Sequence, residues 1–422
     1  MRTLFKLITV ILSLFIASLL SAQDLRQEVS DDHLSIMANL RPYFSHGGGR
    51  ESYKLKGYKP IYISHFGRHG SRYLANPKYL NPAYESLSAA KAQGLLTEQG
   101  LLLYDALDAI YQEHQGMFGE LAPLGAREHR GVASRMYARE KKVFTSKDRT
   151  KVRCISSVYT RCVLSMANFT EELSSHAPSL DVSYLVGQKY NDAYMNAHSE
   201  YFFKPEAIKI IDSLKVAHLR PEELFSPYVT DIKKWKSISP SNLYEVQMSL
   251  YFAWGIVFNL DFLSVDLTRF FPMEHLTACG AIESAYRFAT VGVSSEFRQH
   301  AKLPGQRLLD DIVAKADDAL RTDSDVAADL RFAHDSGLLP MCSLLGVEGF
   351  PTYSIDEAHK NWNMAEIVPM CANLQMVFYK GKNDILVRIM LNEKVTTLPA
   401  LTPVHGIYYR WNDIRDYIIN QR

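Results

Sequence analysis

Apolar positions along this chain change their spacing several times, and each spacing predicts an element. Pro60–Ser64 is a short apolar run that reads as a buried strand. Between 80 and 118 the apolar residues fall at helical intervals, for example Leu101, Leu102, Tyr104, Leu107 and Ile110. Gly119–Gly125 breaks that pattern, and a basic amphipathic helix is predicted from near Ala126 to about Arg139. Lys151–Ser156 reads as a strand that feeds a Ser156-Ser157 turn and a helix carrying Arg161, Leu164, Met166 and Phe169. From 175 to 300 strand signals are weak, Tyr and Phe are frequent, and helices are predicted at 205–215, 242–258 and 273–290. After 305 the alternating style returns: a helix at 305–320, a strand at Ala328–Ala333 and a helix at Gly337–Leu345. Leu374–Tyr379 and Ile385–Leu391 then read as two strands, with hairpin-turn composition at Lys380–Asp384. The pattern predicts an α/β fold, a mixed central sheet flanked by helices with a mostly helical inserted cap. The α/β domain would comprise 23–174 and 301–422, and the cap 175–300. Residues 23–58 read as a polar lead-in with a turn at Gly47–Gly49.

The N-terminus has a different character. Arg2 and Lys6 precede an apolar run from Leu7 to Leu20, and Ser21-Ala22 offers small residues before Gln23. This is the pattern of a secretory signal peptide over 1–22, and it predicts an exported protein, periplasmic or secreted. The apolar run is short for a span, which needs about 20 residues, and no later segment is long and apolar enough, so no membrane span is expected after the leader is removed. The charges nearly balance: 47 Lys and Arg, two of them in the leader, face 46 Asp and Glu. That argues against general nucleic-acid binding, and any attraction for an anion must be local. Seven basic and two acidic residues between Arg139 and Arg153 offer either such an attraction or a solvated loop. The five cysteines, Cys154, Cys162, Cys279, Cys342 and Cys371, are odd in number and without metal spacing. Export would allow one or two disulfides, whose pairing is not legible.

The densest chemistry lies at 65–73, His-Phe-Gly-Arg-His-Gly-Ser-Arg-Tyr. It follows directly on the strand at 60–64, and ligands bind beyond strand ends in open α/β sheets. Arg68 and Arg72 flank His69. A planar guanidinium matches phosphate oxygens, so the run suggests a nucleophilic imidazole inside a phosphate clamp. A leaving alkoxide must also be protonated. His334-Asp335 follows another apolar strand and precedes a helix, which would bring it to the same sheet edge. Asp335 could equally be a helix N-cap. A different reading makes His65 and His69 a zinc pair at i, i+4, which would need a helix there and a third ligand.

Together these segments resemble the histidine acid phosphatases, the second branch of the histidine phosphatase clan. Arg68-His69-Gly70-Ser71-Arg72 is similar to the family's RHGxR, and Leu121–His129 to its LTPLG…QH helix start. Ser156–Arg161 resembles the segment supplying a third arginine, and Phe332–Pro340 the HDT-LLP donor motif. Asn373–Tyr379 and Val387–Asn392 look like the closing hairpin. The resemblance implies a phosphomonoesterase with a phosphohistidine intermediate. His69 would be the nucleophile, and Arg68, Arg72 and Arg161 would hold the phosphoryl oxygens, with Arg153 the next choice for the third arginine. His334 would add a donor, and Asp335 would be the proton donor and then the base that activates water. No metal or other cofactor is implied, and the partner is a small phosphomonoester. Tyr73 resembles the multiple inositol polyphosphate phosphatase branch, whereas Leu74 departs from its proline and His334-Asp335 from its His-Ala-Glu. The expected substrates are inositol polyphosphates, or alternatively sugar phosphates and other small esters. A phosphoglycerate-mutase-like phosphotransferase and a non-catalytic phosphate-ester-binding protein are further alternatives.

Overall fold

The computed structural model describes residues 31–43, 55–195, 205–291 and 294–421. The leader, its cleavage site and the Gly47–Gly49 turn lie outside the described residues. One sheet organises the molecule, in the order β3-β2-β4-β1-β5-β6-β7, with β8 also paired to β6. The strands are β1 (Lys59–Arg68), β2 (Lys151–Ser156), β3 (Asp181–Val186), β4 (Val326–Ala333), β5 (Asn373–Lys380), β6 (Ile385–Leu391), β7 (Lys394–Val395) and β8 (Tyr408–Arg410). The strands β1, β4, β2 and β3 run parallel, and β5 joins β1 antiparallel, so the sheet is mixed as the pattern predicts. In β4 all eight residues are buried, as a strand covered on both faces requires.

Helices cover both faces. The main ones are α1 (Asn81–Ala92), α2 (Glu98–Glu113), α3 (Pro123–Phe144), α4 (Thr160–His176), α5 (Pro205–His218), α6 (Leu243–Val257), α7 (Met273–Val291), α8 (Arg298–Ala319), α9 (Asp335–Leu345) and α10 (Trp411–Ile419). One sheet face packs on α3 and α4 through Met136, Phe169 and Phe332, and the other on α8 to α10 through Ile312, Leu338 and Ile414. A third apolar core joins α1, α2, α5, α6 and α7 around Leu107, Trp235 and Trp254. Leu74 and Leu80, just beyond the end of β1, belong to this core, so the helical layer meets the sheet at the ends that carry the motif.

The layers do not follow the expected boundaries at 174/175 and 300/301. α1 and α2 come from before the expected cap yet share its core. β3 lies inside 175–300 yet extends the sheet in register with β2, Cys154 opposite Tyr184. β3 is an edge strand with five of its six residues exposed, so it lacks the buried alternation by which strands are read. The single helical stretch expected over 80–118 is two helices, and Gly94 at φ +63° makes the turn between them.

Candidate active site

The parallel strands β1, β2 and β4 end side by side, and each delivers part of the site. β1 runs four residues beyond the apolar run Pro60–Ser64, through Arg68 itself. His69 then sits between two neighbours: its N–H donates to Ala333 O (2.9 Å) and its carbonyl accepts from Cys371 N–H (2.9 Å). The next turn is fixed by a backbone-to-backbone contact. A Cβ on Gly70 would lie 2.5 Å from Gly125 O, and one on Gly125 would lie 2.2 Å from Ser71 O. Glycine at both positions lets the first turn of α3 press against the motif loop. Glu128, one turn on, accepts from Ser71 N–H (2.7 Å), Ser71 Oγ–H (2.8 Å) and Tyr43 N–H (2.7 Å). Burial pushes its carboxyl up to about 7 against those hydrogen bonds. His129 Nε2 donates to Arg68 O (3.1 Å). The Gly125, Glu128 and His129 segment thus serves as the cradle of the motif.

The His69 ring lies 5.5 Å from that of His334, centroid to centroid, nearly perpendicular to it. Its Nδ1 faces Gly70 O at 2.9 Å. A carbonyl only accepts, so Nδ1 carries the proton and Nε2 keeps the lone pair that a nucleophile needs. Burial, followed by Arg161, Arg68, Arg72 and His334, holds His69 well below the ordinary imidazole range.

Arg68 is wholly buried. Its Nη1 donates to Val368 O (2.8 Å), its Nη2 donates to Asn39 O (2.9 Å), and Nη2 lies 3.6 Å from Asp335 Oδ2. Arg72 donates to Tyr73 O (2.7 Å), and burial followed by the Arg161 and Arg68 charges brings it down to about 9. Arg161, in the first turn of α4, stacks over Tyr159 with Cζ 4.7 Å from the ring centroid. Its Nη1 is 3.3 Å from Gly119 O and its Nη2 is 3.4 Å from His334 Nδ1. The Nε atoms of all three arginines are buried without a hydrogen-bond partner among the described residues. Guanidiniums this close repel one another, and donors left unpaired in one place suit a multiply charged oxyanion.

Asp335 is the first residue of α9, and its Oδ1 accepts from Ser336 N–H (2.9 Å). Burial alone would raise its pKa. Arg68, Arg287 and His334 outweigh burial and hold the carboxyl well below the usual range. His334, the N-cap position of α9, has Nε2 3.0 Å from Ser157 Oγ, which in turn is 2.9 Å from Asn191 Oδ1. The amide oxygen only accepts, so the hydroxyl donates to Asn191 and accepts from His334 Nε2–H. Nδ1 therefore accepts from Arg161. Burial and then Arg161 bring His334 down to about 3, so donation to a phosphoryl oxygen requires it first to gain a proton.

Every residue singled out for the clamp and the proton transfer, His69, Arg68, Arg72, Arg161, His334 and Asp335, therefore meets at one edge. Arg153 does not. It binds Asp329 and Asp318 from the middle of β2 and has no place in the clamp. Nor does the basic run converge on the site. Arg139 is paired with Glu393, and Arg149 holds the Ala319 and Val326 carbonyls. The zinc pair is overturned: the backbone at His65 is strand, and the His65 ring packs between Phe169 (5.2 Å) and Phe332 (5.6 Å). Among the described residues, Glu223, Glu274 and His275 bring metal-type ligand atoms within 4.8 Å of one another. That group sits at the far end of α7, about 20 Å along the helix from Arg287. All five cysteines are buried free thiols.

Sequence reasoning missed Arg287, on α7 of the helical layer. Its Nε donates to Glu283 Oε1 (2.7 Å), and its charge acts on Asp335, Arg68 and Arg72. The i, i+4 spacing of Glu283 and Arg287 was visible, but such pairs are ordinary on helices.

Part of this chain, including one of the strand ends that carry the site, is similar to the histidine phosphatase superfamily, branch 2. That family's model matches residues 241–392, which include His334 and Asp335 and stop short of the 68–72 motif. Among solved structures, the fold is shared with the Bifidobacterium longum multiple inositol polyphosphate phosphatase in complex with inositol hexasulfate. The TM-score is 0.77 at 20% identity, over 90% of this chain and 97% of that one. The same protein in complex with phosphate gives 0.78 at 18% identity, over 91% and 97%. The phytase from D. castellii gives 0.65 at 13% identity, over 92% and 85%.

Proposed function

We propose that this protein is an exported phosphomonoesterase that works through a phosphohistidine on His69, with inositol polyphosphates as its substrate class. The observation that carries the reading is an imidazole whose Nδ1 faces Gly70 O, which leaves Nε2 to attack, set among three arginines whose buried Nε atoms lack partners among the described residues. The family match and the shared fold support phosphomonoester hydrolysis. The inositol hexasulfate and phosphate bound by the B. longum enzyme support the substrate class. The leader pattern at 1–22 supports export.

In this reading the phosphoryl group enters between Arg68, Arg72 and Arg161, and their donors stabilise the charge that builds on its oxygens. His69 Nε2 attacks phosphorus in line with the departing oxygen, and Asp335 gives that oxygen a proton. The neighbouring cations hold the Asp335 carboxyl well below the usual range and favour its ionised form, so in this reading the proton arrives with the substrate. A phosphomonoester has its second pKa at about 6, so its monoanion carries one. Once the dianion neutralises the arginines, the forces that depress Asp335 weaken and the proton can reside there. Asp335 then takes a proton from the water that releases phosphate from His69.

The test is rapid acid-free quenching of the protein with inositol hexakisphosphate, followed by mass spectrometry. Phosphate is expected on His69, and His69→Ala should lose essentially all turnover while keeping the parent's melting temperature. Turnover by His69→Ala within about tenfold of the parent, far less than loss of a covalent nucleophile costs, would exclude the assignment.

A further inference from the structure

His334 is held by two side chains that take no part in the chemistry proposed above. Ser157 stands just past the end of β2. Asn191 follows β3, which pairs with β2 as far as Ser156 and Val186. Both residues are buried. The Asn191 amide is oriented from two sides: Val158 N–H donates to its Oδ1 (3.5 Å), and its Nδ2 donates to Asp192 Oδ1 (3.2 Å). Its backbone N–H donates to Gly187 O (3.0 Å), which ties it to the end of the strand. Ser157 Oγ lies 2.9 Å from Asn191 Oδ1 and 3.0 Å from His334 Nε2. A hydroxyl has one proton to give, and an amide oxygen has none. With that proton given to Asn191, the hydroxyl can only accept from His334. Cys162 Sγ, 3.6 Å from the same nitrogen, donates to Ala333 O (3.3 Å) and so supplies no proton either. The ring's other nitrogen, Nδ1, lies 3.4 Å from Arg161 Nη2. A guanidinium only donates, so that contact needs a lone pair on Nδ1.

We infer that Asn191 and Ser157 are positioning residues: they fix His334 as its Nε2–H tautomer, and the Nδ1 lone pair this leaves holds Arg161 in the phosphoryl clamp. The inference rests on the phosphatase reading and deepens it, because a fourth strand end, that of β3, then contributes to the site. The contact that sets the tautomer is the one to Asn191. Without an acceptor there, the Ser157 hydroxyl is free to donate to Nε2, and the ring proton moves to Nδ1. That proton then confronts Arg161 Nη2–H, donor against donor. The remaining anchors of the Arg161 guanidinium among the described residues are Gly119 O at 3.3 Å and the Tyr159 ring. Neither fixes the side of the fork that faces His334, so Arg161 swings out of line with the phosphoryl group.

The experiment compares the parent with Asn191→Leu, Ser157→Ala and Ser157→Thr, each also made in an Arg161→Ala background, with melting temperatures recorded. Nitrogen-15 NMR of the histidine rings near pH 7, where His334 is neutral, reports the tautomer directly. The His334 signals are assigned by their loss in His334→Gln. The parent and Ser157→Thr should carry the proton on Nε2, and Asn191→Leu should move it to Nδ1. On inositol hexakisphosphate and on p-nitrophenyl phosphate alike, Asn191→Leu and Ser157→Ala should lose about tenfold in kcat/KM. That is less than the roughly 10²-fold that loss of an oxyanion donor costs, because the arginine's charge stays nearby. Ser157→Thr keeps the hydroxyl and should stay close to the parent. In the Arg161→Ala background Asn191→Leu should cost less than about twofold, because both changes break one contact. The same tenfold loss in that background overturns the inference, as does an Nδ1–H ring in the parent or an undiminished kcat/KM in folded Asn191→Leu. Should Asn191→Leu fail to fold, Ser157→Ala carries the same cycle. Calorimetry with inorganic phosphate repeats the comparison without turnover, and the same pattern of losses is expected. A parent inert on both esters would therefore remove the phosphatase reading, while the spectra and the phosphate affinities still decide this inference.

Discussion

His69 must be neutral to attack phosphorus, and its surroundings keep it so by burial and by four neighbouring positive or protonatable groups. The usual loss of a histidine nucleophile near pH 6.5, the ordinary imidazole value of about 6.5, is therefore not expected. The opposite sign applies to Asp335. Its depressed pKa means that the reacting complex borrows the substrate's proton, so kcat/KM on alkyl phosphates should decline above about pH 6, where the monoanion disappears. A raised Asp335 pKa, which the acid role suggests from sequence, is not what the arginines produce. An acidic optimum is expected instead because the substrate must carry the proton. These points meet in one measurement, pH profiles of the parent and Asp335→Asn on an inositol phosphate and on p-nitrophenyl phosphate. The alkyl ester needs its leaving oxygen protonated and the aryl ester needs this much less, so the variant should lose far more on the first. An acid limb centred near pH 6.5 would show that His69 titrates as a free imidazole. Equal losses on the two esters would leave Asp335 as a helix N-cap alone.

At the scale of elements, what positions the chemistry is the contact between the motif turn and the start of α3. Gly70 and Gly125 touch through their backbones, and Ser71 and Glu128 clasp just beside them. Gly125→Ala would place a methyl 2.2 Å from Ser71 O, a backbone atom that no side-chain rotation can move. Overpacking of this kind costs about 1–3 kcal/mol, and here the strain falls on the turn that aims His69 and Arg72. The melting temperature should drop and kcat should fall together. A variant that melts lower but retains kcat would show that α3 stabilises the fold without aiming the nucleophile. This is also where the sequence was most readable. A strand followed by Arg-His-Gly-x-Arg, and a second strand followed by His-Asp, state their location because strand ends gather at one edge. β3 was not readable because an edge strand exposed on five of six residues carries no burial pattern. Arg287 was not readable because proximity to Asp335 is a property of layer packing, which helical spacing on α7 does not encode.

At the scale of the whole molecule, the near-neutral charge forces attraction for an anion to come from where cations are placed. The exposed lysines Lys141, Lys142 and Lys147 are the obvious reservoir by count, in the basic stretch ending at Arg153. Their position argues against that role. α3 starts in the cradle of the site and carries Lys141 about 25 Å along its axis from Gly125. β2 likewise begins at Lys151 and reaches the site only at its other end, about 17 Å away. Both distances exceed the Debye length of about 8 Å at physiological ionic strength, so those charges are screened from a ligand at the site. The arginines of the run are spent on Glu393, Asp318, Asp329 and backbone carbonyls. Replacing Lys141, Lys142 and Lys147 together by Gln should therefore leave kcat/KM on inositol hexakisphosphate, and the slope of its decline with salt, within about twofold of the parent, as expected for charges several Debye lengths away. If the triple lysine variant flattened that slope, the attraction would be spread over the surface rather than held in the site, and the anion would be drawn by the molecule's far end.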